Sequence, residues 1–70
     1  DHEGAIRFYT AAAAVRPKSA VARIDLGNAL DRAGRSEEAA AEFREAIRLC
    51  PDHPVPHYNL GLVFLDQKKW

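Results

Sequence analysis

The sequence predicts an all-α fold, an antiparallel helix-turn-helix array of four helices forming one domain over residues 1–70. Three observations carry this. The chain resembles itself at an offset of 34 residues, with seven of 36 aligned pairs identical: Glu3/Glu37, Ala5/Ala39, Ala12/Ala46, Pro17/Pro51, Val21/Val55, Leu26/Leu60 and Gly27/Gly61. Conservative pairs such as Tyr9/Phe43, Ile24/Tyr58, Asp25/Asn59 and Leu30/Phe64 fill the gaps. A fixed period of this size belongs to stacked repeats, in which each unit buries its apolar face only against its neighbours. Alanine is abundant, β-branched residues are few and nothing alternates with period two, so the unit is helical. Proline and glycine fall at the ends of the apolar-periodic runs, where they break helices.

Each element follows in order. The first helix is expected over 2–15, with Ala5, Tyr9 and Ala12 on one side and Pro17 beyond its end. The second spans 20–33, opened by Ser19 as N-cap and closed by Gly34 in a left-handed cap. Its stripe is Ala22, Leu26, Ala29, Leu30 and Ala33. The third spans 37–49, with Ser36 as N-cap and Glu37 and Glu38 complementing the helix dipole. Its stripe is Ala39, Phe43, Ala46 and Ile47, and Pro51 marks its end. The fourth spans 55–68, with Leu60, Val63 and Phe64. Gly27 and Gly61 interrupt the second and fourth helices at the same phase of the repeat, each costing about 1 kcal/mol relative to alanine. Close approach would explain this: Gly27 and Ala39 are expected to let two backbones touch, with Leu26, Leu30 and Phe43 closing over the contact.

Composition narrows function. The net charge is zero, with a mildly positive first half and a mildly negative second half, so no nucleic-acid surface is expected. No apolar run is long enough for a membrane span. Cys50 is the only cysteine, so no internal disulfide forms and an intracellular, cytoplasmic setting is expected. The chain lacks an initiator Met and reads as an excerpt of a longer protein. Cys50, His53 and His57 offer zinc-ligand types as C-x2-H-x3-H. They fall in an inter-helix turn among three prolines, with no fourth protein ligand, so neither a metal nor any other cofactor is expected. No nucleophile–base set and no phosphate-cradling loop is present, so no catalysis is expected.

The spacing Leu26-Gly27, Leu30, Gly34, Ala39, Phe43, Ala46, Pro51 resembles the tetratricopeptide repeat signature. On that resemblance, 20–53 is a complete repeat. Residues 1–19 are the second helix of a preceding repeat and 54–70 the first helix of a following one. His57 stands where the family often has Trp, and Trp70 where an aromatic often opens the second helix. Leu30 replaces the usual Tyr, Ser36 the usual aromatic and Lys68 the usual Gly. The resemblance implies a right-handed solenoid whose first helices line a concave groove that binds an extended protein or peptide segment. The expected contact residues are Ile24, Asp25, Asn28 and Arg32 on the second helix and Tyr58, Asn59, Leu62 and Asp66 on the fourth. Asn28 and Asn59 have the donors and acceptor to hold a peptide main chain. The alternative is a structural spacer or self-assembling unit. In that reading the face Leu60, Gly61, Phe64 of one copy docks head to tail on the face Ala5, Ile6, Tyr9, Ala12 of the next.

Overall fold

Four helices account for most of residues 1–67, the residues described by the computed structural model: α1 His2–Val15, α2 Ala20–Arg32, α3 Ser36–Leu49 and α4 Pro54–Gln67. The expected helices are all present, with boundaries displaced by one residue at most where both ends are described. The expected end of the fourth helix at 68, and the family parallels at Lys68 and Trp70, lie outside the described residues.

The repeat is written into the backbone as well as the side chains. Arg16 N–H donates to the Ala12 carbonyl at 3.0 Å, and 34 residues on Cys50 N–H donates to Ala46 at 2.9 Å. Ser19 N–H donates to Arg16 O at 3.0 Å, and its counterpart His53 N–H to Cys50 O at 3.1 Å. Both turns therefore leave their helices by the same route before a proline-containing segment. Ser19 then caps α2, its Oγ accepting from Ala22 N–H at 3.1 Å.

The α2–α3 turn corrects one expectation. Gly34 has φ +80°. Its N–H donates to Asp31 O at 3.0 Å and Arg35 N–H donates to Leu30 O at 2.9 Å. That bond pair is a Schellman motif, which needs a residue tolerant of positive φ. The motif is so short that Arg35 is already the N-cap of α3, and Ser36 is its first helical residue rather than its cap. Arg35 instead grips Glu38 through two charge-assisted bonds of 2.7 and 2.8 Å. It also reaches Glu3 of α1 at 3.5 Å, an exposed pair.

Packing is centred on α2. It touches all three other helices, α3 also packs on α4, and α1 packs on α2 alone. The core comprises Ile6 and Ala13 of α1, Ile24, Leu26, Ala29 and Leu30 of α2, Ala39, Ala40, Phe43 and Ala46 of α3, and Val63 of α4. Phe43 is its largest fully buried side chain, and burial of a ring this size contributes about 1.5–3 kcal/mol.

Gly27 makes room for that ring. A β-carbon on Gly27 would stand 2.6 Å from Cε1 of Phe43 and 2.9 Å from its Cδ1 and Cζ. The close approach expected between Gly27 and the Ala39 backbone is therefore made by the Phe43 ring: a side chain from one turn further along α3 fills the space. Gly61, at the same phase of the repeat, has no side chain or neighbouring helix of the described residues within 4 Å of the equivalent position. The α1 face expected to take part in stacking is only partly covered. Ile6 is buried, and Ala5 and Tyr9 pack against the core cluster beneath α2.

Candidate functional site

Asp25, Asn28 and Arg32 recur at i, i+3 and i+7 along α2, so they share one stripe. Asp25 and Asn28 are half-buried and Arg32 is exposed. Together with Ala29 they form one wall of a cleft of about 350 Å³. The facing wall is α1, through Asp1, His2, Ala5 and Tyr9. Because α1 runs antiparallel to α2, Asp1 and His2 stand at the Arg32 end and Tyr9 toward Asp25.

Asn28 also joins α2 to α4. The side-chain amide of Asn59 donates through Nδ2 to Asn28 Oδ1 at 3.1 Å. The two asparagines are 31 residues apart in sequence and both are half-buried, so the bond ties the two helices at their shared seam. After that bond Asn28 keeps its amide N–H donors, and Asn59 keeps its carbonyl oxygen and one N–H.

The remaining expected contact residues are placed unevenly. Tyr58 and Leu62 are exposed on α4, at 68% and 43%. Asp66 is exposed near the end of the same helix. Ile24 does not belong with them. It is 7% exposed and sits in the hydrophobic core, which corrects its expected place on the open face. The physical reason is that α2 is packed on three sides, so the phase taken for an open face is covered by a neighbouring helix. Tyr9 was assigned to the stripe of the first helix and not to the site. Its repeat partner Phe43 is fully buried, whereas Tyr9 remains half-buried with a phenol at the cleft wall. A polar aromatic where the repeat partner is purely apolar is the signal that could have found it.

The Cys50–His57 turn has its own internal bonding. Val55 N–H donates to His53 Nδ1 at 3.2 Å, and His57 Nε2 lies 2.9 Å from the Pro51 carbonyl. Among the described residues no group of three His, Cys, Asp or Glu side chains is placed to hold a metal ion. No described helix is long and apolar enough to cross a membrane.

Several charged side chains of α2 and α3 are paired. Arg23 donates to Glu42 at 3.0 Å, and Arg48 Nε to Glu45 at 3.0 Å. The side-chain hydrogen bonds from Arg35 and Arg48 hold the Glu38 and Glu45 carboxyls below their ordinary range. Asp25 and Arg32 have no such bond among the described residues, and neither does half-buried Asp31.

A family model described as TPR repeat matches residues 27–68, more than half of the chain. No curated protein matches the chain. The match spans the Gly27–Phe43 contact, the Gly34 turn and the helix that carries Asn59, and with four antiparallel helices in the same order the chain belongs to the tetratricopeptide repeat family of protein–protein interaction modules.

Proposed function

We propose that the trough along α2 and α4 captures an extended peptide segment without catalysis. Residues 20–53 would act as one complete repeat between helices of neighbouring repeats. The Asn28–Asn59 pair carries this reading. Two amides on successive inner helices hold each other in place and still present donors and acceptors, which suits the alternating N–H and C=O groups of a main chain. Because their geometry is already set, little side-chain freedom is lost on binding. Tyr58 and Leu62 supply exposed apolar surface beside them, and Asp25, Arg32 and Asp66 supply charge. Ile24 has no part in it.

The test is a peptide array followed by calorimetry with Asn28→Ala and Asn59→Ala. Each substitution is expected to weaken captured peptides by about two- to tenfold, the scale of one neutral hydrogen bond. The pair should be non-additive, because each amide orients the other. Unaltered capture by a folded double variant would refute the reading.

A second reading, association of the repeats head to tail, is favoured by exposed apolar side chains at opposite ends of the array. Phe8 and Val15 of α1 are 68% and 79% exposed, and Leu65 of α4 is 66% exposed. Sedimentation across a concentration series tests it, and a persistent monomer would exclude it.

A further inference from the structure

We infer that His53 makes the start of α4 acid-sensitive: its neutral imidazole caps the helix, and protonation of the ring releases the cap. The start of a helix has four N–H groups without intrahelical partners. In α4 three of them are settled without a side chain. His53 N–H donates to Cys50 O at 3.1 Å, and Pro54 and Pro56 have no N–H. Val55 N–H is the one that remains, and it donates to His53 Nδ1 at 3.2 Å. The capping group of α4 is therefore an imidazole. Its repeat counterpart, 34 residues earlier, is Ser19, which caps α2 with a hydroxyl that keeps its form between acid and neutral pH.

An imidazole accepts at Nδ1 only while neutral, with its proton on Nε2. Protonation turns that acceptor into a donor facing Val55 N–H. It also places a positive charge at the positive end of the helix dipole. The capped helix therefore takes up fewer protons at His53 than the open chain does. The cap's contribution is present above the range in which histidines titrate and is lost as pH falls through it. His57, in the same turn, behaves differently. Its Nε2 donates to the Pro51 carbonyl at 2.9 Å, a bond that a protonated ring keeps. The other titratable groups of the segment are Cys50 and Asp52. Of the helices packed on α4, the last two turns of α3 carry Arg44, Glu45 and Arg48, and the first two of α2 carry Arg23 and Asp25. Arg48 bonds Glu45, Arg23 bonds Glu42 and Arg44 lies over the Phe64 ring. Among the described residues no carboxylate forms an ion pair with either histidine, so no such partner offsets a charge on His53. Asn59, bonded to Asn28 of α2, follows in the second turn, so the acid-sensitive end adjoins the α2–α4 seam.

The test is solvent exchange of single amide protons in the full chain, followed by NMR at about pH 7.5 and about pH 5.5, either side of the histidine range. Each rate is corrected for the intrinsic pH dependence of exchange. Ala22 N–H, held by Ser19, is the internal reference. Protection of Val55 relative to Ala22 should fall about three- to tenfold on acidification, the scale of one capping bond. His53→Asn keeps an acceptor at the cap without a titrating group, so its ratio should stay constant. His57→Gln should leave the fall in place. Ser19→His is the reciprocal variant and should move the acid-dependent loss to the first turn of α2, which tests the device even if His53→Asn folds poorly. A wild-type ratio that does not change with pH, an equal fall in His53→Asn, or a Ser19→His variant whose α2 protection ignores pH would overturn the inference.

Discussion

Gly27→Ala and Gly61→Ala should move stability in opposite directions although the two glycines occupy one phase of the repeat. At Gly27 a new methyl would meet Phe43 Cε1 at 2.6 Å, about 1 Å inside ordinary carbon contact. The ring has nowhere to go, since Phe43 is 1% exposed and Ala39 and Ala46 on its own helix are fully buried. Overpacking of this kind costs about 1–3 kcal/mol, and the better helix propensity of alanine returns up to about 1 kcal/mol. The net expectation is a loss of about 1–2 kcal/mol. At Gly61 no side chain or neighbouring helix of the described residues lies within 4 Å, so the propensity gain dominates and the variant should be more stable by about 0.5–1 kcal/mol. In a domain of this size about 1 kcal/mol moves Tm by roughly 4–8 °C, so the two variants should melt on the order of 10 °C apart. Thermal unfolding followed by helical circular dichroism measures this directly. Phe43→Leu provides the control: it opens the space over Gly27, so Gly27→Ala should cost less in that background, a coupling read by a double-mutant cycle. A Gly27→Ala variant as stable as the wild type, or shifts of the same sign at both glycines, would refute the assignment of ring contact to Gly27 alone.

Ser19→Ala removes the acceptor for Ala22 N–H and should cost about 1 kcal/mol, whereas Ser36→Ala, at a first helical position with no capping bond, should stay within about 0.5 kcal/mol of wild type; equal effects in chemical denaturation would contradict the cap assignment. Acid should weaken the fold through Glu38 and Glu45. Hydrogen bonds from Arg35 and Arg48 favour their ionised forms and lower their pKa values in the folded state, so their contribution is present above the ordinary value of 4.5 and is lost as pH falls below it. Melting curves of an Arg35→Gln/Arg48→Gln variant should therefore decline less steeply below pH 4.5, and high salt should shrink the difference because both pairs are exposed; parallel declines would oppose this.

The helical array is legible from residues 1–70 because its determinants are local. Prolines after α1 and α3, Ser19 before α2 and Gly34 at a positive φ all act within a few residues of where they stand, and the 34-residue recurrence repeats them. Side-chain stripes locate Phe43, Leu26 and Ala46 in the core for the same reason. What escapes such reading is how each helix is rotated against several neighbours at once. Periodicity separates an apolar side from a polar one, but α2 has three packed sides, so Ile24 lies in the core where a two-sided helix would expose it. Gly27 and Gly61 are indistinguishable in the chain and differ only in whether a ring from another helix arrives. Asn28 and Asn59 stand out as amides, yet their bond to one another exists only because α2 and α4 are brought side by side. Tyr9 enters the site because antiparallel packing lays α1 along Asp25 and Arg32. Backbone conformation follows from short-range sterics and capping, whereas the chemistry of a cleft depends on groups from separate helices meeting, which is set when those helices pack.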